Sequence, residues 1–151
     1  MKWLFPLALA GSVVACAPDK ATPNLGERLA AEIETAAERK QPLRVADATP
    51  FTWERLHVFP PYTPAEEISR DLGFAWPDAK RTRIEERDGV TLLVFVEERR
   101  VIEHLNFPRK RGDFSMIVKA GGFTPSEAVF AIQPEGRNPT WWVLRDSQPP
   151  R

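Results

Sequence analysis

The chain has 151 residues, with 21 basic and 21 acidic side chains, fifteen prolines and one cysteine. That balance argues against a nucleic-acid partner, because such binders gather Lys and Arg on one face. A single cysteine has no disulfide partner within the chain, so the core must stand on burial alone.

Met1-Lys2 is a short cationic start, and Trp3 to Ala17 is an apolar run broken only by Pro6, Gly11 and Ser12. A basic n-region, a hydrophobic h-region and small closing residues are the layout of a secretory signal. The run is fifteen residues long, short of the roughly 20 that a spanning helix needs. Two processing routes fit its end. Ala15-Cys16-Ala17 satisfies the small-x-small rule with a cut before Pro18, a poor position because proline lacks the N–H of an extended substrate. The earlier Ala8-Leu9-Ala10 would leave an h-region of only about seven residues.

Val13-Val14-Ala15-Cys16 resembles the lipobox of bacterial lipoproteins: aliphatic, aliphatic or small, small, then cysteine. The resemblance covers the signal region, and its first position is Val where Leu is commoner. It implies that Cys16 becomes the first mature residue, carrying a diacylglyceryl group and usually a further N-acyl chain, so that the bilayer is a partner through acylated Cys16. At about 0.8 kcal/mol per buried CH₂, two or three chains anchor effectively permanently, whereas one holds only marginally. Ala17, where aspartate would be a retention feature, resembles lipoproteins sorted to the outer membrane. The expected location is the cell envelope, facing the periplasm in a Gram-negative cell.

Removal of residues 1–15 takes Lys2 with it and leaves 136 residues with one more acidic than basic side chain, the size of one domain. Residues 16–23 read as a polar tether. Asn24-Leu25-Gly26-Glu27 matches a capping box, and Leu25, Leu29, Ile33 and Ala36-Ala37 recur at helical spacing up to about Lys40. This predicts an amphipathic helix within 24–42, packed on the domain or serving as a spacer, with Pro42 ending it. Residues 43–151 form the expected single domain. Phe51 to Phe59 reads as a strand whose apolar parity changes between Trp53 and Leu56, predicting a bulge. Thr63-Pro64-Ala65-Glu66 predicts the start of a second helix, with Ile68 and Leu72 on its apolar face and Gly73 closing it.

The second half reads as sheet. Asp88-Gly89 is a hairpin signal, with an alternating edge strand Arg81 to Arg87 before it. Val90 to Val96 follows as a central strand: Val90, Leu92, Val94 and Val96 face one way, Leu93 and Phe95 the other. A turn near Glu98–Arg100 leads into Val101 to Phe107, closed by Pro108. Further strands are expected at Phe114–Val118, Ala128–Ile132 and Thr140–Leu144, and Thr124-Pro125-Ser126-Glu127 reads as a turn into the second of these. Together these predict an α+β fold: an antiparallel sheet of five to six strands with one or two helices on one face.

Catalytic signatures are sparse. His57 and His104 have no second metal-type ligand at i+2 to i+4, so no metal or cofactor is expected. No nucleophile elbow, phosphate loop or H-E-x-x-H occurs. Gly121-Gly122 reads as a loop hinge. The mixed charges at Arg83 to Asp88 and Glu97 to Arg100 read as cross-strand pairs flanking the hairpin. Arg109-Lys110-Arg111 is a basic loop, and Arg111-Gly112-Asp113 spells an integrin-type tripeptide that is common by chance.

The aromatics offer most. Trp53, Phe59, Tyr62 and Trp76 cluster among prolines, and Trp141-Trp142 must point to opposite faces of a strand. Trp and Tyr are enriched where proteins meet partners, so these six residues are candidate binding positions, against the reading that they are core. The stretch Trp53 to Tyr62 resembles segments of small exported bacterial proteins and implies no activity. The sequence therefore predicts a lipid-anchored, non-catalytic binding, adaptor or inhibitor module with a protein partner in the envelope. The alternative is an envelope hydrolase using His57 with Glu54, Glu66 or Glu67.

Overall fold

The computed structural model describes residues 24–136 and 138–147. The signal, Cys16 and the tether lie outside the described residues.

Asn24 caps the first helix, α1 (Leu25–Glu38), by accepting the Glu27 N–H at 3.0 Å. Leu29, Ala30, Ile33 and Ala36 are its buried stripe, so α1 packs on the domain instead of standing off as a spacer. It closes with Lys40 at φ 54°: the Lys40 N–H reaches Ala37 C=O and the Gln41 N–H reaches Ala36 C=O, satisfying helix-end carbonyls as a Schellman motif does. The elements that follow are β1 (Leu43–Arg44), a single turn α2 (Val45–Ala48), β2 (Arg55–Phe59) and α3 (Ala65–Leu72). Two 3₁₀ segments (Pro77–Thr82, Ile84–Glu86) lead into β3 (Val90–Glu97) and β4 (Arg100–Pro108); a 3₁₀ turn (Arg109–Arg111) and an irregular stretch then precede β5 (Val129–Glu135) and β6 (Asn138–Asp146).

The fold is α+β and its strands pair antiparallel, but among the described residues six strands divide into two three-stranded sheets, β2-β3-β4 and β1-β5-β6, where one sheet was expected. Leu56 and Phe123 exchange two backbone hydrogen bonds of 2.8 Å, a lone bridge on the outer edge of β2. Gly121 and Gly122, both left-handed at φ 74° and 71°, bend the chain away before a ladder can grow.

β3 is the central strand of its sheet and is buried on both faces, as its apolar pattern predicts. Leu93 and Phe95 enter a core shared with α1, β5 and β6, including Leu29, Ile33, Phe107, Phe114, Phe130 and Leu144. Val90, Leu92, Val94 and Val96 enter a second core with Ile68 and Leu72 of α3, Trp76 and Ile84. Each such side chain contributes roughly 1.5–3 kcal/mol by leaving water. The sheet β2-β3-β4 thus divides two cores, with α3 on one side and α1 and the second sheet on the other.

Four local expectations are corrected. Arg81 to Arg87 is not an edge strand but 3₁₀ turns: Thr82 and Ile84 are buried, and the Thr82 hydroxyl donates to Ala79 C=O and accepts from Ile84 N–H. The Asp88-Gly89 hairpin is therefore not formed, while the turn expected near Glu98–Arg100 joins β3 to β4 at Glu98-Arg99, left-handed at φ 48° and 57°, the backbone of a type I′ turn. Phe114–Val118 is a turn, not a strand, with the Ile117 N–H on Phe114 C=O and both side chains in the core. The irregularity expected between Trp53 and Leu56 lies elsewhere: β2 starts only at Arg55, and the register shift falls at Phe95/Val96 of β3. Thr63 does not cap α3. Its hydroxyl donates to Pro60 C=O at 2.7 Å, and the Ala65 N–H is met by the Glu85 carboxylate at 3.3 Å. Within the first charged run the pairing is local, Arg83 with Glu86 at 2.6 Å, whereas Glu97 accepts from Thr52 Oγ1 and Arg99 donates to Gly73 C=O.

Candidate functional site

Of the six aromatic candidates, three are core. Trp53 is buried edge-on to Phe95 at 5.4 Å, its indole N–H donating to Thr49 Oγ1. Phe59 is buried and stacks on His57 at 6.1 Å. Trp76 is buried with one face against the exposed His104. Tyr62 is 60 % exposed and left-handed at φ 67°, held by its N–H on Ile84 C=O. Trp141 and Trp142 are half-buried. Trp142 packs against the first core, while the Trp141 indole nitrogen is buried without a hydrogen-bond partner among the described residues.

The histidines share one cross-strand row. Val94 pairs with His57 on one side and His104 on the other, which sets their backbones roughly 10 Å apart at two strand spacings. His57 is 3 % exposed, and its Nδ1 lies 2.7 Å from Asp71 Oδ2. The carboxylate partner is therefore Asp71, not the expected Glu54, Glu66 or Glu67. Glu54 accepts the Glu98 N–H, and Glu66 pairs loosely with Lys80 at 3.7 Å. A histidine oriented by a carboxylate is half of a general-base arrangement. The other half is crowded: the ring is almost wholly buried, and a Cβ on Gly122 would sit 3.0 Å from His57 Nε2, so the Gly121-Gly122 turn passes close to this nitrogen. The pair joins β2 to α3 beneath that turn. Asp71 borders the Ile68–Leu72 stripe of α3, and that adjacency was the only sequence signal for it.

The basic loop is structural. Arg109 forks onto Asp113 at 2.8 and 3.1 Å, and Arg111 forks onto Glu27 at 2.7 and 3.1 Å, leaving Lys110 exposed. Asp113 is 5 % exposed and also accepts the Ser115 N–H, so the tripeptide aspartate is not presented to any partner. Burial pushes the Asp113 carboxyl up, but Arg109 and Ser115 together hold it below the usual carboxylate range. Glu127 is held at about 2, first by Lys119 at 2.8 Å and then by the Thr124 N–H and hydroxyl.

A groove remains that no described element fills. It encloses about 520 Å³ and is lined by Ala37, Pro42, Ile132, Pro134 and Trp142, with Lys40 the only charged residue among the described ones that line it. Ile132 and Pro134 lie on one face of β5, and Trp142 lies across from Pro134 on the same face. This face outruns α1, whose last turn ends at Glu38, and the uncovered remainder is the groove. Sequence reading reached Trp142 but missed Ile132 and Pro134. The signal was a proline inside a strand pattern, which marks an edge.

Among the described residues, no group of three or more His, Cys, Asp or Glu could hold a metal ion, and no helix is long and apolar enough to cross a membrane. No family model matches the chain, and neither does any curated protein or solved structure.

Proposed function

We propose that the protein is an envelope lipoprotein, anchored through acylated Cys16, whose domain binds a protein partner as an adaptor or inhibitor. The observation that carries the binding reading is the Trp142 groove. It is an apolar concavity of about 520 Å³ with one cation at its rim, within the size range of binding sites, and no described element fills it. Tryptophan is also the residue type most enriched among positions that dominate binding energy. The anchor rests on the lipobox resemblance of Val13 to Cys16. The hydrolase alternative is weakened by the burial of His57, 3 % exposed, since a general base must reach the proton it takes.

The test is capture from native membranes with a C-terminal tag in mild detergent, followed by mass spectrometry. A companion recovered in near-equal amount with wild type and lost with Trp142→Ala supports the reading; a preparation without a companion sinks it. Cys16→Ser should abolish acylation and release the protein from the membrane. Retention of the serine variant as firmly as wild type would refute the anchor alone.

A further inference from the structure

β5 carries a length of open edge. Its pairing with β1 stops at Leu43–Phe130, because Pro42 has no N–H and Gln41 turns its own onto Ala36 C=O at 2.9 Å. The Val45 N–H donates to Ala128 C=O, and successive residues of a strand address its two neighbours alternately. Phe130, Ile132 and Pro134 therefore address the β1 side. The Ser147 hydroxyl on Val129 C=O, at 2.6 Å, fits the same parity, since Ser147 continues β6. Beyond Phe130, then, Ile132 N–H, Ile132 C=O and Pro134 C=O point out of the sheet, and no described backbone group outside the strands meets them. The missing N–H of Pro134 falls on the side where it removes no ladder bond.

We infer that an extended segment of a partner polypeptide adds to β5 as an extra strand at Ile132–Pro134, with apolar side chains entering the Trp142 groove and an acidic side chain meeting Lys40. The inference rests on the binding reading above and names the partner's chemistry. An edge that presents a donor and then two acceptors within three residues is matched by an extended main chain, and alternate side chains of such a strand fall on one face. That face is the apolar one, carrying Ile132, Pro134 and Trp142. Among the described lining residues, Lys40 supplies the charge to be answered. A second copy of this chain fits poorly. Two-fold pairing centred on Ile132 would set the partner's β5 opposite Phe130, where Leu43 already pairs. The bare edge is also short and carries a proline, which suits a brief segment and blunts self-association.

The experiment is selection of random eight-residue displayed peptides on the full chain in detergent, counter-selected on Trp142→Ala. Enriched peptides are then resynthesised with each amide N-methylated in turn. The expected result is alternating apolar sequences, a loss of about tenfold in affinity when either of the two amides facing Ile132 C=O and Pro134 C=O is methylated, and slowed hydrogen exchange at the Ile132 amide on binding. Trp142→Ala should weaken binding about thirtyfold. The N-methyl series needs no protein variant, so it reads the proposal even if Trp142→Ala fails to fold. Affinities indifferent to every methylation would overturn strand addition while leaving a groove-binding module intact. If no peptide is enriched, strand addition fails; the binding reading fails with it only if membrane capture is also indifferent to Trp142. Concentration-dependent dimerisation that peptides reverse would replace the partner with a second copy and overturn the inference.

Discussion

The imidazole Nδ1 of His57 meets the Asp71 carboxylate at 2.7 Å, joining β2 to α3. A carboxylate only accepts, so the histidine Nδ1–H donates. The ring is 3 % exposed, and removing its acceptor orphans a buried donor, which costs about 1–3 kcal/mol. Asp71→Ala should therefore lower stability by that amount in urea unfolding, while Asp71→Asn, which keeps an acceptor, should lose less. Equal losses would show that the bond itself contributes little.

Gly121 and Gly122 separate backbone strain from packing. Both are left-handed, and a side chain on Gly121 meets nothing within 4 Å, whereas one on Gly122 lies 2.8 Å from Leu56 C=O. Gly121→Ala should cost about 1–2 kcal/mol from conformation alone. Gly122→Ala should cost a further 1–3 kcal/mol or so for the clash, read as a lower thermal midpoint.

The aromatic candidates divide by what truncation does. Trp53→Ala should destabilise by about 3–5 kcal/mol, as expected for a large buried ring. Tyr62→Ala should stay within about 0.5 kcal/mol, as exposed positions do. Chemical denaturation of the two variants side by side decides this, and a severe loss at Tyr62 would contradict its 60 % exposure.

Acid should unfold the domain partly through Glu127. Its folded value is about 2 against an ordinary 4.5. A depressed carboxylate contributes stability that is fully present above the unfolded value and is lost as pH falls through the folded one. Asp113, also lowered, acts in the same direction. Urea midpoints measured from pH 5 to pH 2 should fall, and Glu127→Gln should fall less steeply across that window. Parallel curves would mean that the ion pair with Lys119 is present in the unfolded chain or contributes nothing.

The β3–β4 turn leaves room for improvement. Glu98 is left-handed at φ 48°, a conformation that Asn tolerates better. Its own N–H bond to Glu54 involves no Glu98 side-chain atom. Glu98→Asn should raise stability by about 0.5 kcal/mol, measured by thermal unfolding.

Legibility followed the range of the interactions. α1 with its Asn24 cap, α3 with Gly73 in the left-handed closing position, and both faces of β3 were readable from residues 24–40, 65–73 and 90–96, because caps and apolar periodicity act within one element. The α+β class followed from them. The β3–β4 turn near Glu98–Arg100 was readable as well, but the expected hairpin at Asp88-Gly89 does not form. Asp88-Gly89 carried the better local chemistry, but burial of Thr82 and Ile84 bound the preceding segment into 3₁₀ turns. The division into two sheets, the meeting of His57 with Asp71 and the open edge beside Trp142 depend on residues distant in the chain. Their energies come from burial and hydrogen bonds between elements, which no local pattern encodes.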